Sequence, residues 1–75
     1  MLDYSKLYGK IKEVFDTQEA FADAMKMSRT AINARLTQKI EWKSLEIAKA
    51  CELLGVPISE AYLYFFSFKS LEKQD

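Results

Sequence analysis

Three residues in the first half of the chain carry side chains suited to reading the edges of DNA bases: Arg29, Thr30 and Asn33. A guanidinium donates two hydrogen bonds to guanine O6 and N7, and a carboxamide pairs in the same two-pronged way with adenine N6 and N7. A threonine offers a hydroxyl, and a methyl that touches the thymine methyl. Asn33 follows Arg29 by four positions and Thr30 by three, so a helix through this segment carries all three on one face. No catalytic set competes with this chemistry. There is no histidine, no glycine-rich phosphate loop and no carboxylate pair at a credible spacing. A single cysteine, Cys51, with no histidine leaves neither a disulfide framework nor an ordinary zinc site. No enzymatic activity, metal, cofactor or small-molecule substrate is expected.

Positioning such a face takes a helix with a fixed start and an apolar opposite side. Ser28 is a good N-cap, and a helix from about Arg29 to Gln38 turns Ala31, Ile32 and Leu36 inward. A preceding helix, about Gln18 to Met25, is capped by Thr17 and faces inward with Phe21, Ala22 and Met25. Only Lys26 and Met27 separate this helix from the Ser28 cap. Two short helices joined so tightly form the helix-turn-helix pattern, here about residues 17–38. Ala22 is small where the helices cross, Met25 and Met27 flank the turn, and Ile32 locks the second helix onto the core. Such a turn has a residue at positive φ, usually glycine. Lys26 stands there at a cost of about 1–2 kcal/mol.

Three more helices complete the pattern. The first spans about Tyr4 to Phe15, with Tyr4, Leu7, Tyr8, Ile11, Val14 and Phe15 on its apolar face and Gly9 as a place of close helix approach. The fourth runs from about Ser44 to Leu54, with Ile47, Ala48, Cys51 and Leu54 inward, stopped by Gly55 and followed by Pro57. The fifth, about Glu60 to Phe66, is capped by Ser59. Trp42 lies in the loop before the fourth helix and is expected to pack against it. This is an all-α, five-helix domain over residues 1–66, followed by a polar tail, 67–75, expected to fray.

Backbone phosphates have their own candidate ligands: Thr17, Gln18 and Ser28 at helix N-termini, and Arg35, Lys39 and Lys43 beyond the reading face. The Trp42 indole N–H is a further donor there. Arg35 has a second reading, lying along the core edge. Lys39 and Lys43 also read as ordinary solvated lysines. The late segment holds Tyr62, Tyr64, Phe65, Phe66 and Phe68, too many aromatics for one face of a two-turn helix. Those left exposed mark an interface, read here as a symmetric homodimer.

Charge complicates this picture. The 75 residues carry 11 basic and 11 acidic side chains, a net charge of zero, where a nucleic-acid binder usually has a basic excess. Asp16, Glu19 and Asp23 form an acidic cluster beside the reading side, most simply a solvated face. The protein therefore has two candidate partners, DNA and another protein bound directly. The start Met1-Leu2-Asp3-Tyr4 lacks a basic and then apolar leader, and the apolar run Ala61 to Phe66 is too short for a bilayer. With an unpaired cysteine, this gives the cytoplasm as the expected location.

The segment Thr30-Ala31-Ile32-Asn33, with Leu36 behind it, resembles the recognition helix of lambdoid Cro repressors. The chain more widely is similar to small phage regulators from Gram-positive hosts. The likeness rests on Tyr4-Ser5-Lys6-Leu7, Thr17-Gln18-Glu19-Ala20-Phe21-Ala22, Trp42-Lys43, Lys49-Ala50-Cys51-Glu52-Leu53-Leu54 and Tyr64-Phe65-Phe66. The resemblance implies a lambda repressor-like fold and a Cro-like or repressor-modulating protein of a temperate phage or prophage, acting in the choice between lysis and lysogeny. It puts Arg29, Thr30 and Asn33 in base-reading places and Gln18 in a backbone-contact place.

Overall fold

Leu7 and Ile11, one helical turn apart, are the buried stripe of the first helix, α1 (Ser5–Phe15). The computed structural model describes residues 2–68. Four further α-helices follow: α2 (Gln18–Met25), α3 (Arg29–Leu36), α4 (Ser44–Leu54) and α5 (Ala61–Phe65), the last entered through a 3₁₀ turn at Ile58–Glu60. No strand occurs among the described residues, only an isolated antiparallel bridge between Leu2 and Phe68. Helix α1 packs on α2, α4 and α5, and α2 packs on α3 and α4. Their facing residues, Leu7, Ile11, Phe21, Ile32, Ala50 and Phe65 among them, close one core.

The local signals act where hydroxyls and left-handed residues demand it. Thr17 Oγ1 accepts the Ala20 N–H at 3.0 Å, and Ser28 Oγ accepts the Ala31 N–H at the same distance. Each satisfies a donor that the helix itself leaves free. Three helices end in one closure, in which a residue at positive φ returns its N–H to the last turn and the next residue reaches one carbonyl further back. After α2, Lys26 donates to Asp23 and Met27 to Ala22, both at 3.0 Å. After α3, Gln38 donates to Arg35 and Lys39 to Ala34; after α4, Gly55 donates to Glu52 and Val56 to Cys51. Only the last uses glycine. Lys26 at φ 61° and Gln38 at φ 67° hold the same conformation with a Cβ. The corner before α2 is tighter still: Asp16 sits at φ 72° and ψ −41°, with the Thr17 N–H on the Phe15 carbonyl at 2.8 Å. That is a γ-turn of the uncommon positive-φ kind.

The structure corrects several expectations. Helix α3 stops at Leu36, two residues early, because Gln38 turns left-handed. Val14 is 44% exposed and Tyr8 39%, so the buried stripe of α1 is narrower than its apolar pattern. Gly9 is exposed with open space above it, and no helix approaches there. In α4 the inward alanine is Ala50, while Ala48 faces outward. Ser59 lies within the 3₁₀ turn and caps nothing. Ser67 and Phe68 belong with the body: the Asp3 N–H donates to the Ser67 carbonyl at 2.7 Å. The rest of the expected tail, 69–75, lies outside the described residues.

Replacing Lys26 by glycine removes the Cβ from a left-handed position, where it costs about 1–2 kcal/mol. Lys26→Gly therefore raises the urea midpoint, and Gly55→Ala lowers it. A fall with Lys26→Gly would show that the lysine side chain contributes more than its backbone costs.

Candidate nucleic-acid interface

Helix α3 has one closed side and one open side. Ile32 and Leu36 are buried, whereas Ser28, Arg29, Thr30 and Asn33 are exposed and Ala34 is half-buried. The Ser28 cap fixes where the helix begins, and so which residues lie on its first open turn. Thr17 is exposed and Gln18 half-buried at the start of α2. Lys39 and Lys43 are exposed on the loop that leads into α4. Together with Lys26 and Arg29, these lysines have no ion-pair partner among the described residues, whereas Lys10 pairs with Glu13 and Lys12 with Asp16.

Arg35 departs from its expected place among the phosphate ligands. It is only 8% exposed, and its guanidinium is occupied within the protein. Nε donates to Glu46 Oε1 at 2.8 Å and Nη2 to Glu46 Oε2 at 3.0 Å, while Nη1 donates to the Ala31 carbonyl at 3.0 Å. Glu46 Oε1 also accepts the backbone N–H of Lys43 at 3.0 Å, closing the first turn of α4. The hydrogen bond from Arg35 is the main reason the Glu46 carboxyl sits below its ordinary range, against an opposing effect of burial. The same bond raises Arg35 further above its already high value. Sequence reasoning missed Glu46. Two signals were present: Arg35 falls between Ile32 and Leu36 on the inward side, and Glu46 stands three residues after the α4 cap position.

Trp42 also turns inward. Its indole stands edge-on to Phe65, centroids 5.1 Å apart, and Nε1 is buried with no acceptor among the described residues. That N–H is not available to a phosphate. Trp42 borders a surface cavity of about 220 Å³ shared with Leu2, Tyr4, Glu41, Ile47, Phe65 and Phe66. Burial, aided by the Glu41 charge, raises the Tyr4 phenol, and burial alone raises the Cys51 thiol.

The aromatic segment divides. Phe65 is 2% exposed and belongs to the core, so it drops out of the expected interface. Tyr64 is half-buried, with Lys6 Nζ 5.7 Å from its ring centroid. Tyr62, Phe66 and Phe68 are 61%, 54% and 70% exposed. Among the described residues no cluster of acidic, histidine or cysteine side chains could hold a metal, and no helix is long and apolar enough to cross a membrane.

Fold and surface thus define an all-helical domain of five helices with an open polar face on its third. The chain belongs to the family described as Protein of unknown function (DUF739), whose profile matches residues 1–68. No curated protein matches it.

Because the folded Glu46 carboxyl titrates below its unfolded value of about 4.3, the pair's stabilisation is complete above that value. It is lost as pH falls through the lower folded value. Glu46→Gln should cost about 3 kcal/mol at pH 7, the lower end for a buried pair losing one partner. It should also flatten the acid limb of stability against pH. Urea unfolding from pH 7 to pH 3 measures both, and an unchanged acid limb would contradict the assignment.

Proposed function

We propose that this protein is a sequence-specific DNA-binding regulator in which α2 and α3 act as a helix-turn-helix. The open face of α3 enters the major groove, led by its N-terminal residues. One observation carries the reading: Arg29, Thr30 and Asn33 are exposed together on a capped helix whose opposite side is closed on the core. In this role Arg29 reads guanine, Asn33 reads adenine and Thr30 adds a hydroxyl or methyl contact. Thr17, Gln18, Ser28, Lys39 and Lys43 hold phosphates. The chain's zero net charge is compatible with this role because binding depends on the local field. Lys26, Arg29, Lys39 and Lys43 are exposed cations that no carboxylate of the described residues neutralises through an ion pair.

The resemblance to Cro-like regulators supports a setting in the lysis/lysogeny switch of a temperate phage or prophage, within the bacterial cytoplasm. Exposed Tyr62, Phe66 and Phe68 support a homodimer, with half-buried Tyr64 at its margin. Two copies would place two reading helices about one DNA turn apart on a palindromic operator. A second reading is favoured by the zero net charge and by Glu19 and Asp23, both exposed on α2. In it the same domain binds a phage repressor directly. No enzymatic role is proposed.

Selection of duplexes from a random-sequence pool, followed by titration, tests the reading. Arg29→Ala and Asn33→Ala should each lose about 1–3 kcal/mol of discrimination at one base position. Lys39→Ala and Lys43→Ala should weaken all duplexes alike, each lowering the salt slope by about 0.9. If neither Arg29→Ala nor Asn33→Ala alters DNA binding while both disrupt a complex with the partner repressor, the second reading stands.

Sedimentation at micromolar concentration checks the dimer. The wild-type chain should run as a dimer, and the paired Phe66→Ser, Phe68→Ser variant as a folded monomer. A wild-type monomer removes the dimer from the proposal.

A further inference from the structure

We propose that Glu46, acting through Arg35, is a positioning residue for the reading face of α3; the proposal rests on the DNA-binding role given above. The backbone of α3 comes close to that of α2 alone among the helices. Its connection to α4 is made by side chains. The Ala31 carbonyl is bonded to Arg35, both Glu46 carboxylate oxygens accept from Arg35, and Glu46 accepts the Lys43 N–H. This chain of bonds ties the middle of α3 to the first turn of α4. Apolar contacts from Ile32 and Leu36 decide which side of the helix faces the core but restrain small rotations and slides only weakly, because the hydrophobic effect has no direction. A guanidinium–carboxylate fork does have direction. It sets the rotation and slide of the helix, and Arg29, Thr30 and Asn33 turn with it.

The proposal makes a prediction opposite in sign to simple electrostatics. Removing a carboxylate from a DNA-binding domain lessens repulsion of phosphate and by itself tightens binding. If Glu46 positions α3, removing its charge weakens binding instead.

The test uses the full chain and the duplex it selects from a random pool, titrated at several salt concentrations. The variants are Glu46→Gln and the apolar pair Arg35→Met with Glu46→Leu. Replacing both members of a buried ion pair with apolar residues commonly preserves stability, so the second variant separates positioning from folding. Hydrogen exchange of the α3 amides is followed in parallel.

Both variants should lose about tenfold in affinity, the size of one bidentate base contact, with an unchanged salt slope. In the apolar pair, α3 amides should exchange faster while those of α1 keep their protection. Unchanged or tighter binding by Glu46→Gln would overturn the proposal. So would a salt slope lower by about 0.9 in the apolar pair, which would make Arg35 a phosphate ligand. A wild-type chain that selects no duplex overturns the DNA-binding role. The tether is then judged on exchange alone: faster α3 exchange upholds it and unchanged exchange overturns it.

Discussion

The fold depends on holding an eight-residue helix by one side so that its other side stays bare. The apolar means are few, since α3 buries only Ile32 and Leu36 among its large apolar residues. The Arg35–Glu46 fork supplies what two aliphatic side chains do not. Its side chains are 10% and 18% exposed, so both ions are largely withdrawn from water. Such a pair adds little net stability unless its remaining hydrogen-bonding groups are satisfied. Here the Ala31 carbonyl takes a further guanidinium N–H, and Glu46 Oε1 accepts the Lys43 N–H. What the pair contributes is direction, because a fork tolerates less rotation than a methyl group.

Much of the framework was legible because it is written in local chemistry. Thr17 and Ser28 announce two helix starts, and Gly55 with Pro57 announces a stop, because each residue type meets a need of the nearby backbone. The end of α3 was not legible, since Gln38 adopts the left-handed conformation without being glycine. Lys26 does the same but was readable, since the spacing of two capped helices left room for nothing else. Burial within α4 was misjudged by one face because Ala48 and Ala50 are alike in composition. Which alanine turns inward depends on where α1, α2 and α5 lie. The aromatic run has the same ambiguity: Phe65 and Phe66 are adjacent and identical in type, yet one fills the core and the other meets water.

The site was legible on its exposed part and hidden on its supporting part. Arg29, Thr30 and Asn33 could be placed on one face by spacing alone. Arg35 carries the same charge as its neighbours, and its different environment comes from Glu46, eleven residues on and in another helix. Long-range pairing of this kind leaves at most an oddity in the pattern, here an arginine between two buried aliphatic residues. Formal net charge likewise hides how the charges are distributed. Ion pairs occupy Lys10 and Lys12 on α1 and Arg35 on the inward side of α3, while the exposed cations nearest α3 in sequence have no ion-pair partner among the described residues.

On the proposed reading, the small size of the open face has a consequence. Two bidentate base contacts, from Arg29 and Asn33, at about 1–3 kcal/mol each reach only the lower part of the specificity that regulators need over non-specific DNA, about 4–10 kcal/mol. With four exposed cations near α3, the sequence-independent phosphate attraction is modest as well. One copy is therefore marginal on both counts, and doubling the face adds to both at once. The aromatic residues left open at the end of the chain are far in sequence from α3 and supply apolar area. A neutral molecule also meets its own copy without net repulsion. The zero net charge that weakens attraction to DNA thus favours the association that would compensate for it.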